Sequence, residues 1–133
     1  RVRSVSMNSN MGMNVAEPNP RHFSKVSQMM RSSTIWVLID ENPDSINDAS
    51  FASSSGSGAD DMWDDGPTVS THAGACGFAF GDGHSEIHKW INGQTRAAPM
   101  ITTYKTLFPH HVYQPNNPDI EWLSYGSPSV QKQ

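Results

Sequence analysis

The sequence predicts an α+β domain: a small antiparallel β-sheet, one short helix packed on it, and long surface loops. Three observations carry this. The run Thr34-Ile-Trp-Val-Leu-Ile-Asp40 is apolar, β-branched and short enough for a buried central strand. Asp82-Gly83 sits between two alternating stretches, a strong hairpin signal because tight hairpin turns need positive φ. Apolar residues make up only 35% of the chain, below the roughly 45–50% of an average globular protein, and Ser, Asn, Gly and Pro fill the difference. At 133 residues, one core is the expectation, so positions 1–133 read as a single domain.

In chain order, residues 2–7 read as a short strand with Val5 and Met7 on one face. Asn19-Pro20 offers an N-cap and a first-turn proline, and Phe23, Val26 and Met30 recur at helical spacing, which predicts a helix over about 20–30. After the central strand, the turn Glu41-Asn-Pro-Asp-Ser45 leads into 46–52, expected to return as the neighbouring strand of a hairpin. Residues 53–65 have linker composition, with only Met62 and Trp63 to repay ordering, and read as a mobile surface loop. Residues 77–91 form the second hairpin. With Asp82-Gly83 as a two-residue loop, Phe80 would face Ser85 and Phe78 would face Ile87, burying Phe78, Phe80 and Ile87. The segment 95–133 is loop-rich, and Ile120-Glu-Trp-Leu123 reads as a last packed strand.

The totals narrow the function. Net charge is −4, and no two of the nine Lys and Arg are adjacent, so a phosphate backbone finds no basic patch and nucleic acid is not an expected partner. Cys76 is the single cysteine, which excludes an internal disulfide and a multi-cysteine zinc site. No apolar run approaches the ~18 residues that cross a bilayer. A membrane contact is therefore expected only through a helix upstream of Arg1, where an element already under way suggests a preceding segment.

Around the second hairpin the chain reads Thr71-His72-Ala-Gly-Ala-Cys-Gly-Phe-Ala-Phe-Gly-Asp82-Gly83-His84. A His, nine intervening residues and Asp-Gly before a short alternating strand resembles the processing-associated C-terminal motif of bacterial prepilin-type proteins. Arg3 to Asn8 and Trp36 to Asp48 resemble that family's head segments. The resemblance implies the head of a type II secretion pseudopilin or type IV pilin-like subunit. Such a subunit lies outside the inner membrane, in the periplasm or extracellular space, joined to other pilin-like or secretion-system subunits, and its anchoring hydrophobic helix is absent from this chain. It further implies a structural protein and no enzyme, with His72, Asp82 and Gly83 as the structural motif; the hairpin itself, read from the residues, places His72 in the preceding loop to bond Asp82 or a turn amide.

Other readings compete with this. Trp63 and Trp90, if exposed, would suit a carbohydrate- or surface-binding module. Asp40, Asp44 and Asp48, with Glu41 and Asn47, place oxygen ligands around one turn and suit calcium; turn-forming carboxylates that bond their own backbone explain the same residues. His84, Glu86 and His88 share a strand face at metal-ligand spacing, against the plainer reading of a solvated edge. Cys76 beside His72 suggests nucleophile chemistry only by sequence proximity, and a packed thiol is the expectation.

Overall fold

Trp36–Asp40 (β2) forms the centre of the main sheet, as its composition requires. The computed structural model describes residues 4–12, 22–54, 58–69, 72–97 and 112–126. On one side β2 pairs antiparallel with Val5–Asn8 (β1), and on the other with Ala75–Phe80 (β6). Ser85–Lys89 (β7) pairs antiparallel with β6 and closes that end. Because both edges of β2 are taken, the segment after the 42–45 turn cannot return beside it. Ser50–Phe51 (β3) pairs parallel with β1 instead, giving the order β3-β1-β2-β6-β7. The expected hairpin of 46–52 with the central strand is corrected accordingly.

A second, three-stranded antiparallel sheet joins Ser53–Ser54 (β4), Met62–Trp63 (β5) and Val112–Tyr113 (β8). The stretch expected to be a mobile loop thus supplies a central strand. Trp63 is buried, and the Asp61 carboxylate accepts from the Asn117 amide at 3.1 Å. Burying one indole is worth several kcal/mol, enough to offset ordering of a short segment. Residues 55–57 lie outside the described residues.

Among the described residues two α-helices are present, Gly93–Arg96 (α1) and Pro118–Tyr125 (α2), where one was expected. The strand read at 120–123 is the middle of α2. A four-residue apolar run does not separate strand from helix, whereas Asn117-Pro118 does: the Asn117 side chain caps the Asp119 amide at 2.9 Å with proline at the first helical position. The described part of the helix expected over 20–30 is a single 3₁₀ turn at Val26–Gln28, with Val26 and Met30 exposed; residues 13–21 lie outside the described residues.

The core lies between the main sheet and the layer formed by α2 and the second sheet. Trp36, Ile39, Phe51, Trp63, Phe78, Trp90, Ile120 and Leu123 are buried there. Phe78 meets Trp36, Trp90 and Trp122 edge to face, with centroids 5.2–6.1 Å apart. Each fully buried indole N–H has a partner: Trp36 donates to the Leu123 carbonyl, Trp63 to Gln114 Oε1 and Trp90 to the Thr68 carbonyl.

The hairpin forms where expected but one residue out of register. Gly81-Asp82-Gly83 is a three-residue loop: the Phe80 amide donates to the His84 carbonyl at 2.9 Å, and Gly83, at φ +93°, donates to the Phe80 carbonyl at 3.0 Å. This is a turn followed by a left-handed residue, the second commonest hairpin closure. Phe78 therefore faces Glu86, and Gly77 faces Ile87. A one-residue slip turns every side chain of the strand over. Phe78 and Phe80 are buried as expected, but Ile87 points outward, 65% exposed.

Candidate functional site

The alternation of β1, β2, β6 and β7 sends Ser6, Asn8, Ile39, Phe78 and His88 toward the core, and Val5, Met7, Leu38, Ala79 and Ile87 outward. The inward polar pair on β1 is satisfied: Ser6 Oγ donates to the Glu41 carboxylate, and Asn8 Nδ2 donates to the Trp36 carbonyl at 3.0 Å. On the outer face Val5 is 40% and Met7 45% exposed, and the strands curve around a hollow of about 500 Å³ lined by Leu38, Ala79 and Ile87 among others. It is open and mostly apolar.

At one end of this hollow stand His72 and Asp40. His72 Nε2 lies 3.1 Å from Asp40 Oδ2, so a residue of the loop before β6 is clamped to the last residue of β2. The turn that delivers it contains Ala73 at φ +52° and Gly74 at φ +86°. Gly77 leaves the room: a Cβ there would lie 2.7 Å from Asp40 Oδ2. Behind the pair, Cys76 Sγ donates to the Asp40 carbonyl at 3.1 Å. Cys76 is fully buried, and desolvation, reinforced by the Asp40 charge, pushes its thiol well above the ordinary range, which keeps it protonated.

His72 does not reach Asp82, which corrects the expected contact. Six of the nine residues between them are β6, and at ~3.3 Å per residue that strand holds them roughly 20 Å apart. Asp82 instead caps its own turn, its Oδ1 accepting from the His84 amide at 3.1 Å and lying 2.5 Å from His84 Nδ1. The side-chain bond from His84 holds the Asp82 carboxyl below its usual range. The motif thus fixes both ends of one strand: His72 binds the start of β6 to β2, and Asp82-Gly83 turns its end into β7.

Trp63 and Trp90 are 1% and 0% exposed, so neither is open to a ligand; both belong to the core, a correction to the reading of them as a binding pair. The three carboxylates read as calcium ligands have separate partners or settings. Asp40 meets His72, Asp48 Oδ1 accepts from the Ser50 amide at 2.6 Å, and Asp44 is buried in the 42–45 turn with its amide donating to Asn42 Oδ1. Among the described residues no group of three or more His, Cys, Asp or Glu is arranged to hold a metal ion. That includes His84, Glu86 and His88: His84 stacks on Phe80 with centroids 4.4 Å apart, and His88 lies flat on Trp122 at 3.5 Å. Desolvation there lowers the His88 imidazole below its ordinary range. His110 and His111 lie outside the described residues.

The sequence marked Glu41 only as one oxygen-bearing turn residue, but it is buried at the end of β2, 1% exposed. Burial lifts its carboxyl from 4.5 to about 7; the Ser6 and Ser45 hydroxyls pull the other way, and the Asp65 and Asp48 charges add to the rise. Its Oε1 accepts no well-formed hydrogen bond. The position follows from topology: the Glu41 amide donates to the Ser4 carbonyl at 2.8 Å, and Glu41 bridges Pro67, so three chain segments converge on it. No helix among the described residues is long and apolar enough to cross a membrane.

Comparison with protein-family models, with curated proteins and with solved structures finds no match to this chain.

Proposed function

We propose that this chain is the head of a pilin- or pseudopilin-like subunit, a structural part of a filament or secretion assembly rather than an enzyme, acting in the periplasm or outside the cell. One observation carries the reading. The main sheet is packed by a dense aromatic core on one face and presents Val5, Met7 and the neighbouring apolar hollow on the other. An apolar sheet face of this kind suits an amphipathic or hydrophobic helix. A head joined to such a helix is what the resemblance of the His72 to Asp82-Gly83 motif implies. In this reading the motif is constructional: it fixes the strands that make the face, with a protonated, buried Cys76 and a His72 already engaged by Asp40.

Site-directed crosslinking tests this in cells that make the complete assembly. A Met7→Cys chain should crosslink to a helix of a pilin-type subunit or of its own longer form, while Gln94→Cys, exposed on α1, should not. Buried Cys76 supplies a silent background. Equal, non-specific labelling of both positions, with no crosslinked product from Met7→Cys, would sink the proposal.

A further inference from the structure

Among the described residues the main sheet ends at β7. The Phe80 amide bonds the His84 carbonyl and the Trp90 amide bonds the Gly74 carbonyl, which fixes the phase of the β6–β7 ladder. His84, Glu86, His88 and Trp90 direct their backbone groups toward β6, and by alternation Ser85, Ile87 and Lys89 direct theirs outward. Among the described residues β7 is the last strand of its sheet, and its side chains are exposed except for half-buried His88. Such an edge accepts another strand unless its side chains prevent it.

The order Ser85-Glu86-Ile87-His88-Lys89 decides which strand fits. In an antiparallel pair centred on Ile87, Ile87 meets Ile87 of the second copy, Glu86 meets His88, and Ser85 meets Lys89. The outward groups of Ser85, Ile87 and Lys89 then form about six backbone hydrogen bonds across a twofold axis. Charges guard an edge when like meets like. Here the acid lies on one side of the midpoint and the bases on the other, so twofold pairing brings unlike charges together twice. We propose that β7 pairs with β7 of a second copy, making the five-stranded sheets of two heads continuous. The bonds come from the edge backbone; Ile87 also lines the outer hollow, whereas Met7, which tests the proposed function, lies on β1 beyond β2, so the two tests can fail separately.

Sedimentation of the whole chain over a concentration series tests it. Ser85→Glu places a carboxylate opposite Lys89 in both halves and should lower the dimer dissociation constant by roughly 2- to 30-fold; Ser85→Lys should raise it by a similar factor. An Ile87→Cys chain should close an intermolecular disulfide under mild oxidation, because Cα atoms in a hydrogen-bonded antiparallel pair lie about 5.5 Å apart, within disulfide range. Glu86→Cys, which meets His88 rather than itself, should close far less. A chain that stays monomeric with both Ser85 substitutions, or that crosslinks equally from positions 86 and 87, overturns the proposal.

Discussion

The two faces of the main sheet are built from the same strands and differ in how much of each is buried. Inward, Trp36, Ile39, Phe78 and Trp90 are at most 3% exposed, and Phe78 meets both indoles edge to face. Outward, Val5 and Met7 are 40% and 45% exposed, and Ile87 is 65% exposed. Stability is concentrated on the first face, and under the proposed function the second is the side that meets a partner. Substitutions should therefore separate folding from assembly according to the face they touch.

The largest effect is expected in the core. Trp90→Ala removes an indole that packs on Trp63, Phe78 and His88 and takes away the indole N–H bond to the Thr68 carbonyl. Denaturant unfolding should show a loss of about 3–5 kcal/mol.

Next comes Glu41. Its folded carboxyl titrates near 7 against an ordinary 4.5, so folding favours the protonated form. The stability it contributes is full below about pH 4.5 and is lost as pH rises through 7. Glu41→Gln should flatten that decline. Thermal unfolding of wild type and variant should nearly coincide at pH 4.5 and differ at pH 8, the variant being more stable by on the order of 2 kcal/mol. A variant less stable than wild type at pH 8 would mean that the buried carboxylate is held by donors the structure does not show.

At the boundary between the faces, Gly77→Ala should displace the Asp40 carboxylate, since its Cβ would sit 2.7 Å from Oδ2, and cost about 1–2 kcal/mol. Much of that loss is the His72 bond. A double-mutant cycle with His72→Ala should show the two costs adding to less than their sum.

How much of this was legible in the sequence follows the range of the signals. The central strand and the Asp82-Gly83 turn are local, and both were readable. The register of the hairpin was not, because two- and three-residue closures share the same glycine; the extra residue turned Ile87 from the core to the outer face. On β1 the strand and the shared face of Val5 and Met7 were readable, but not that this face points outward, since Ser6 and Asn8 are buried for their hydrogen bonds to Glu41 and the Trp36 carbonyl rather than for apolarity. Trp63 was hidden by the composition around it. The pairing of His72 with Asp40 spans 32 positions; both residues were singled out, for roles that local spacing suggested, and only the sheet brings them together. The Asn117-Pro118 cap of α2 was readable and went unread, outweighed by a four-residue apolar run.

The smallest effect on folding carries the most weight for function. Met7→Asp puts a charge on the outer face away from β7, and its unfolding free energy should stay within about 0.5 kcal/mol of wild type. Incorporation of this folded variant into the assembly of the producing cell is the direct measurement. Its loss, at unchanged stability, is the result expected if the outer face is a docking surface; incorporation equal to wild type would contradict the account.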